Sequence, residues 1–384
     1  MKKVLHLASW YPNRNGEQDG DFVQRHLFAM AEDAPVHVVA LFRDNSLPAG
    51  TFEYFRTTRG ALHETIGYYN SYSTGIRPLD ALLSTMLYRR YFLQMVRMYF
   101  HEHGKPDLVH VHVAYRAGFV ALSLKLTYGI NYVVTEHWSG YGNGDIPGLT
   151  KMRRSQSPVL KRILRSAAMI LPVSPVLESD LSRFVPGTVL RSIPNVVNES
   201  LFFPPVQRSA GKFRLIHVST MGPEKRPELL FRLFNEFRNR HDAELVCVGT
   251  VPSGLKEWVN NNIRHSADIS FTGNIAYSEV PGQMHLAHML VITSIYETFS
   301  CVAVEALLTG LPVVGTPVGI LPELINAGNG KIANDFAGLL EAMCFVYRHY
   351  HTYDPVAIAS AQAGKFSFST VAKQFRSVYN DLHT

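Results

Sequence analysis

The chain has few cysteines and no long apolar run, and both absences narrow its class. Its three cysteines, Cys247, Cys301 and Cys344, are far apart in the 384 residues and match no disulfide or metal-binding spacing. Isolated thiols are typical of a reducing compartment, so we expect a cytoplasmic protein without a metal site. No apolar run approaches the length of about 20 residues that a membrane-spanning helix requires.

Two further motifs are missing near the start of the sequence. The apolar run that follows Lys2 and Lys3 is short, contains His6 and has no small-residue cleavage site, so we interpret it as a buried strand rather than a signal peptide. The segment after it, Ala8 to Pro12, lacks the glycine fingerprint of nicotinamide dehydrogenases. The net charge of +6 comes with no nucleic-acid-binding motif, and we expect no nucleic-acid partner.

The pattern of β-rich runs predicts two Rossmann-like domains in tandem. With 46% hydrophobic and 18% charged residues, the chain has the composition of a globular protein with room for two cores. Short runs alternate with helical segments, which is typical of parallel, doubly wound sheets. The predicted strands are Lys3–Ser9, His37–Phe42, Asp107–Val113, Asn131–Glu136, Met169–Val173 and Val189–Ile193, then Arg214–Thr220, Glu244–Val248, Ile269–Thr272, Met289–Thr293 and Pro312–Gly315.

The breaks in this pattern set the expected domain boundaries. The Pro194-Asn195 turn and Phe203-Pro204-Pro205 interrupt the first series of strands. We therefore expect a first domain over 1–195, a linker over 196–211 and a second domain over 212–365. The final segment, 366–384, has the spacing of a capped helix and is expected to cross back to the first domain. Ligands of such folds bind at the carboxyl ends of the strands, in the cleft between the sheets.

The most informative segment runs from Ser294 to Pro317. Ser300 is the predicted N-cap of a short apolar helix over 301–309, with Gly310 after its end and Pro312 before the next strand. Glu297 precedes this helix, and Glu305 lies about one and a half turns into it. The free amides and dipole of the helix start favour a phosphate, while carboxylates bind sugar hydroxyls.

An alternative interpretation makes both glutamates ordinary surface acids, since acids are common near helix starts. Glu305 argues against it, because it is flanked by Ala303, Val304, Ala306 and Leu307 and an ionised group in such a helix needs a partner. A second open question concerns the arginines around 77–100, which alternate with apolar residues. That stretch fits a helix on an anionic membrane surface and equally a helix packed on its own sheet.

The segment that contains Glu297 and Glu305 resembles that of the retaining glycosyltransferases of family 4, also called glycosyl transferases group 1. The resemblance extends over essentially the whole chain. The resemblance implies a GT-B fold of two facing Rossmann-like domains. It implies that Glu297 contacts the donor sugar, that Glu305 contacts the nucleotide ribose, and that Lys225 binds phosphate. His137, at a strand end, is expected to contact the sugar. The other implied donor-binding positions are Thr298, Phe299, Ser300, Cys301, Gly273, Asn274, Thr220 and Gly20, and His112 and Gly16 are expected on the acceptor side.

The sequence departs from the family pattern at three positions. Thr220 stands where the family has an arginine, five positions before the lysine, and Arg226 is a candidate substitute. Thr298 and Ser300 replace glycines beside the first glutamate.

The literal pattern Asp19-Gly20-Asp21, which binds metal in transferases of another fold, lies in the first loop rather than beyond a nucleotide-binding strand, so we expect no metal and no cofactor.

The expected function is retaining hexosyl transfer from a nucleotide-diphosphate sugar to a hydroxyl of a glycan or lipid-linked acceptor, in cell-surface polysaccharide or glycolipid biosynthesis. The expected location is the cytoplasm, and contact with the cytoplasmic membrane face is one of the two interpretations of the stretch around 77–100. Two alternatives remain open: a sugar-nucleotide epimerase of the same fold, and a binding or scaffold subunit with a weakened donor site.

Overall fold

The structure is a computed structural model that describes residues 2–16, 18–142, 152, 156–206 and 211–382. The basic residues Lys151, Arg153 and Arg154, and residues 207–210 of the linker expected over 196–211, lie outside the described residues. Within the described residues, no helix is both long enough and apolar enough to cross a bilayer.

The first sheet contains seven strands in the order β3-β4-β2-β1-β5-β6-β7. Its central strands pair in parallel, and β3 pairs antiparallel with β4 at one edge. The strands are β1 (Val4–Ala8), β2 (Val36–Arg43), β3 (Phe52–Arg59), β4 (Leu62–Tyr69), β5 (Leu108–His112), β6 (Tyr132–Glu136) and β7 (Met169–Pro172). This sheet and its helices form what we call the first lobe.

The second sheet contains six parallel strands in the order β10-β9-β8-β11-β12-β13. The strands are β8 (Phe213–Val218), β9 (Ala243–Val248), β10 (Ile269–Gly273), β11 (Met289–Ile292), β12 (Val313–Gly315) and β13 (Gly330–Ile332). We call this sheet and its helices the second lobe. Buried runs of valine, leucine and isoleucine in both sheets reflect helices that cover both faces.

The α-helices alternate with the strands, as parallel pairing requires. In the first lobe they are α1 (Asp21–Ala31), α2 (Arg77–His103), α3 (Ala117–Tyr128), α4 (Ser157–Ser166) and α5 (Pro175–Phe184). In the second lobe they are α6 (Pro227–Arg238), α7 (Leu255–Asn262), α8 (Val280–Leu286), α9 (Cys301–Leu308), α10 (Leu321–Leu324), α11 (Phe336–Arg348) and α12 (Pro355–Ser360), and the chain ends with α13 (Phe368–Asp381).

The sequence-based strand assignments include one wrong strand and miss three others. The predicted strand Val189–Ile193 is wrong, because only an isolated bridge joins Leu190 to Ile170. The hairpin of β3 and β4 and the short edge strand β13 were not predicted. The hairpin pairs without slip from Phe52 with Tyr69 to Arg59 with Leu62, and its two strands are joined at Gly60, which has a positive φ of 61°.

The last helix, α13, packs on the first lobe. Ser367 caps it by accepting a hydrogen bond from the Thr370 amide. Phe375 is fully buried and contacts the rings of His26 and His110. The Tyr379 hydroxyl lies 2.6 Å from His110 Nδ1, in β5. The chain thus returns from the second lobe to complete the core of the first.

Helix α9 ends as its sequence predicts. The Gly310 amide bonds to the Leu307 carbonyl and the Leu311 amide to the Ala306 carbonyl, which is a Schellman arrangement. Gly310 has a positive φ of 67°, and a Cβ there would lie 2.4 Å from the Pro355 carbonyl oxygen. Only glycine meets both conditions without strain. This fixed end, with β12 directly after it, positions the acidic residues of the helix.

Candidate active site

The loops that follow β7 and β11 meet where the two lobes touch. The Ser174 hydroxyl, after β7, donates a hydrogen bond to the Thr298 carbonyl oxygen, after β11. The Tyr296 hydroxyl donates to Asp180 Oδ2 at 2.9 Å. Both bonds join the first lobe to the loop that contains Glu297. This loop therefore lies between the lobes, at the carboxyl ends of their strands, where ligands of such sheets bind.

Glu297 and Lys225 form an ion pair within this loop region. Lys225 Nζ lies 2.7 Å from Glu297 Oε1, and the Ser294 hydroxyl donates to the same oxygen at 2.7 Å. The two side chains are 20% and 15% exposed, so a ligand can reach both. The sequence prediction named both residues, and the structure brings them together from chain positions 72 residues apart.

Glu305 lies in α9 and is almost fully buried, at 5% exposure. Its Oε1 accepts a hydrogen bond from the Tyr277 hydroxyl at 2.8 Å and lies 3.2 Å from Arg25 Nη1. Burial raises the pKa of this carboxyl, and the Arg25 guanidinium and the Tyr277 hydroxyl act in the opposite direction. Arg25 belongs to α1, so the predicted need of Glu305 for a partner is met from the opposite lobe.

The residues between the two acids have different positions. Phe299 is 1% exposed and packs against Phe366, so its side chain supports the loop rather than facing a ligand. Ser300 occupies the N-cap position with φ 84°, but its hydroxyl makes no cap hydrogen bond, and the predicted side-chain cap is wrong. Its Oγ is buried without a partner among the described residues. Cys301 begins α9, and burial raises the pKa of its thiol to about 12, so it stays protonated.

A tight backbone crossing fixes this loop from above. A Cβ on Gly319, which has φ 55°, would lie 2.4 Å from the Phe299 carbonyl oxygen and 3.0 Å from Glu297 Cβ. The Ile320 amide donates to the same carbonyl at 3.0 Å. The segment after β12 thus holds the loop of Glu297 in place.

A group of buried histidines lies on the first-lobe side. His137, after β6, is 4% exposed. The centre of its ring lies 4.5 Å from that of Phe22 and 5.5 Å from that of His26. Burial lowers the pKa of His137 well below 6.5, so its imidazole is neutral at pH 7. Its Nε2 has no partner among the described residues. This nitrogen is buried as well as unpartnered, so the contact of His137 with the donor sugar stays a prediction.

His112 is completely buried, which differs from its expected place on the acceptor side. Its Nε2 lies 3.1 Å from His6 Nδ1, while its Nδ1 is unpartnered in the described part of the chain. Ligand atoms of His26, His112 and His137 lie within 4.8 Å of one another, as do those of His6, His110 and His112. The rings of His110 and His112 stack with their centres 4.2 Å apart, and we assign this group to packing behind His137.

The remaining donor-side positions lie at the surface of the second lobe. Gly273 ends β10 with φ 71° and open space around it, and Asn274 Oδ1 accepts a hydrogen bond from Thr250. A cavity of about 440 Å³ is lined by residues that include Thr250, Gly273 and Asn274. Thr220 is exposed in the loop after β8. Gly273, Asn274 and Thr220 remain predicted donor contacts.

The glycines of the first loop have local roles in this structure. Gly20 is the N-cap of α1 with φ 70°, a left-handed backbone that glycine adopts without strain. A Cβ on Gly20 would lie 2.5 Å from the Trp10 carbonyl carbon, so the close approach at Gly20 is to the backbone of Trp10. Gly16 exchanges two backbone hydrogen bonds with Asn13 in a tight turn. Asp21, of the literal metal pattern, forms an ion pair with Arg25 at 3.0 Å.

Arg226 does not face the Glu297 pair in the way a substitute for the missing arginine would. Its Nε donates to the Thr293 carbonyl oxygen at 2.6 Å, and Nη2 lies 3.4 Å from that of Ser294. It therefore braces the end of β11.

Sequence reasoning missed Arg25, which contacts both Glu305 and Tyr277 from positions 280 and 252 residues away. No local motif marks either Arg25 or Tyr277.

Comparison with known proteins gives a family match for each lobe. Residues 212–349 match the family model Glycosyl transferases group 1, and residues 26–201 match the model Glycosyltransferase Family 4. A D-inositol 3-phosphate glycosyltransferase of Arthrobacter sp. is 27% identical over 270 residues, which cover 63% of this chain and 63% of that relative, less than two thirds of its length. A glycogen synthase of Mycobacterium tuberculosis is 24% identical over 291 residues, which cover 72% and 69%.

Solved structures of glycosyltransferases share the whole fold. Sucrose-phosphate synthase from Thermosynechococcus elongatus superposes with a TM-score of 0.77 at 18% identity and covers 99% of both chains. Anabaena HepE in complex with UDP gives a TM-score of 0.71 at 16% identity and covers 99% of this chain and 100% of its own. The expected GT-B fold is confirmed. With a family model matched in each lobe, the chain belongs to glycosyltransferase family 4.

Proposed function

We propose that this protein transfers a hexosyl group from a nucleotide-diphosphate sugar to a hydroxyl of a glycan or lipid-linked acceptor, with retention of anomeric configuration. The observation that carries the proposal is the ion pair of Glu297 and Lys225 near the start of α9, exposed to the interlobe region. Glu297 suits a sugar hydroxyl and Lys225 suits a phosphate. The two residues are adjacent, as the sugar and the phosphate are in the donor.

Bond cleavage needs positive charge beside the leaving group. When the bond between the anomeric carbon and the phosphate oxygen breaks, negative charge develops on the β-phosphate. Lys225 and the N-terminal end of α9 supply positive potential there. Such stabilisation increases turnover because it is greater in the transition state than in the bound substrate.

The sugar ring is held from both lobes. Glu297 accepts hydrogen bonds from the ring hydroxyls, and the neutral His137 contacts the sugar from the first lobe. Glu305 accepts from the ribose hydroxyls of the nucleotide. In the front-face reaction that we propose, the acceptor oxygen bonds to the anomeric carbon from the side that the phosphate leaves, and its proton passes to the departing phosphate oxygen. This scheme uses no metal and no cofactor.

The matched proteins support the choice of donor and acceptor class. HepE is solved in complex with UDP and with UDP-glucose, and the curated relatives are named for transfer to inositol phosphate and for glycogen synthesis. These names support a nucleotide-sugar donor and a hydroxylated acceptor. We place the reaction in cell-surface polysaccharide or glycolipid biosynthesis, in the cytoplasm.

The proposal is tested by calorimetric titration of the protein with UDP, ADP and GDP and with their glucose conjugates. We expect one base to bind, and its sugar conjugate to be consumed only when an acceptor glycan or lipid is added. Absence of binding to all of these nucleotides would contradict the proposal and favour a scaffold subunit. Epimerisation of the free nucleotide sugar without an acceptor would favour the epimerase alternative.

We also propose a peripheral contact with the anionic membrane face through the first turns of α2. Leu79, Leu82 and Met86 are exposed there, after the exposed Ile76, and Arg89 and Arg90 are exposed further along the helix. The later apolar residues of α2 are buried in the first lobe. An apolar face with flanking arginines binds anionic lipid surfaces. Co-sedimentation with phosphatidylglycerol vesicles, compared with phosphatidylcholine vesicles, tests this contact, and equal recovery with both would contradict it.

A further inference from the structure

Arg25 is a first-lobe residue that reaches into the second lobe. It lies in the first half of α1, and its side chain is 13% exposed. Its Nη1 lies 3.2 Å from Glu305 Oε1 and 2.8 Å from the Tyr277 hydroxyl, and its guanidinium carbon lies 4.8 Å from the centre of the Tyr277 ring. The Arg25 guanidinium of the first lobe therefore contacts the Glu305 carboxylate, to which the proposed function assigns the donor ribose.

The hydrogen bonds of Arg25 are incomplete in this structure. Nη2 contacts Asp21 at 3.0 Å, but Nε is buried and has no acceptor among the described residues. A guanidinium presents its five N–H donors in a fixed fork, and a buried donor without an acceptor is costly. The arrangement thus keeps one donor of a permanently charged group available for an acceptor that the described part of the protein does not supply.

A second unpaired group lies at the start of α9, the helix that contains Glu305. Ser300 is 7% exposed, and its Oγ has no partner in the described part of the chain. The N-terminal end of the eight-residue helix α9 adds positive potential. A guanidinium N–H, a hydroxyl and a helix N-terminus together suit the oxygens of a phosphate.

We propose that Arg25 binds the diphosphate of the donor across the interlobe cleft, and that the donor ribose replaces it at Glu305. This inference rests on the proposed function of the same site. It assigns to the first lobe the second positive charge that the second lobe lacks at Thr220, which is exposed and uncharged. Arg226 is not available for that role, because it bonds to the Thr293 carbonyl oxygen.

Binding of the donor would then also join the lobes. Without donor, Arg25 bridges to Glu305 and Tyr277, and with donor it bridges to a phosphate that Lys225 holds from the other side. The phosphate charge is present only on the nucleotide diphosphate and its sugar conjugate. A nucleoside, which has the ribose but no phosphate, gains nothing from Arg25 and competes with it for Glu305.

The test compares Arg25→Gln with the wild type in calorimetric titrations with a nucleoside diphosphate and with the corresponding nucleoside. The base is the one that the wild type binds among UDP, ADP and GDP. We expect Kd for the diphosphate to rise about tenfold to a hundredfold, as for loss of a charged hydrogen bond. Kd for the nucleoside should stay the same or fall. Arg97→Gln, an exposed position in α2, is the matched control and should change neither value.

The outcomes separate this inference from the proposed function. If the wild type binds the diphosphate and Arg25→Gln binds it equally well, the inference is wrong and the proposed function stands. If Arg25→Gln weakens diphosphate and nucleoside by the same factor, Arg25 only supports Glu305, and the inference is again wrong. If the wild type binds no nucleotide, both fail. Arg25→Lys, which keeps the charge but loses the fork, guards against misfolding of the glutamine variant and should give an intermediate Kd for the diphosphate.

Discussion

Lys225 Nζ lies 2.7 Å from Glu297 Oε1, so in this structure the two groups that we assign to the donor neutralise each other. A partly exposed pair of this kind contributes little to stability, because water screens it. The same pair has a larger role if a phosphate takes Lys225 and a sugar takes Glu297. We therefore interpret this contact as the donor-free state of the proposed site.

Replacing Glu297 by Gln should reduce turnover by about tenfold or more, because a charged hydrogen bond to the sugar becomes a neutral one. The melting temperature should change little, since the ion pair that is lost is partly exposed to water. Initial-rate kinetics and thermal unfolding check both statements. Glu257→Gln, at an exposed position in α7, is the control and should keep wild-type rates. Wild-type kinetics in Glu297→Gln would remove the role assigned to this residue.

The buried histidines should make the protein less stable in acid. Burial lowers the pKa of His6 from 6.5 to about 3, so the unfolded chain binds a proton at this residue in a pH range where the folded chain does not. The stabilising contribution is complete above pH 6.5 and is lost as the pH falls from there towards 3. Each such histidine lowers the free energy of unfolding by about 1.4 kcal/mol per pH unit within this window.

Urea unfolding of wild type and His6→Gln at pH 7, 6 and 5 tests this effect. We expect the free energy of unfolding to fall less steeply with acidity in His6→Gln, whatever its value at pH 7. His351→Gln, at an exposed position, should keep the wild-type slope. Equal slopes in His6→Gln and wild type would show that His6 is protonated in the folded protein.

A pair of glycine variants separates backbone strain from steric overlap. Gly254 has φ 79°, and a Cβ added to it would have no atom within 4 Å, whereas Gly310 has φ 67° and would place a Cβ 2.4 Å from the Pro355 carbonyl oxygen. We expect Gly254→Ala to cost about 1 kcal/mol and Gly310→Ala about 2–4 kcal/mol of unfolding free energy. Chemical denaturation measures both. A smaller cost for Gly310→Ala than for Gly254→Ala would mean that the contact with α12 is not maintained in solution.

The packing of α13 on the first lobe can be tested at Phe375. This ring is fully buried against His26 and His110, so Phe375→Ala should lower the unfolding free energy by about 3–5 kcal/mol. Lys373→Ala, at an exposed position of the same helix, should stay within about 0.5 kcal/mol of wild type. Denaturant titration followed by far-ultraviolet circular dichroism checks both variants. Equal stability of the two would contradict the packing described above.

The parts of the fold that the sequence predicted are those with strong local signals. Helix α9 was predicted to within one residue, because Gly310 and Pro312 mark its end. The strands around His6, His110 and Cys247 were found because parallel strands buried on both faces form apolar runs. The hairpin of β3 and β4 was missed because β3 is largely exposed and carries two arginines, so its sequence lacks such a run.

Sequence reasoning from local residues succeeded for Glu305. The apolar residues on either side of it indicated a buried acid, and it is 5% exposed. The partner of Glu305 was not predictable, because Arg25 in an amphipathic helix has the same local pattern whether it faces water or another lobe. The unpaired hydroxyl of Ser300 also escaped prediction, because its left-handed backbone turns the residue away from a standard cap.

The return of α13 to the first lobe has a consequence for biosynthesis. On the ribosome, the strands of the first sheet emerge early, but the helix that carries Phe375 and covers His110 emerges only after the entire second lobe. The apolar face of the first lobe that α13 covers therefore stays exposed while about half of the polypeptide is still being translated. No single proteolytic cut between the two sheets would release two complete halves.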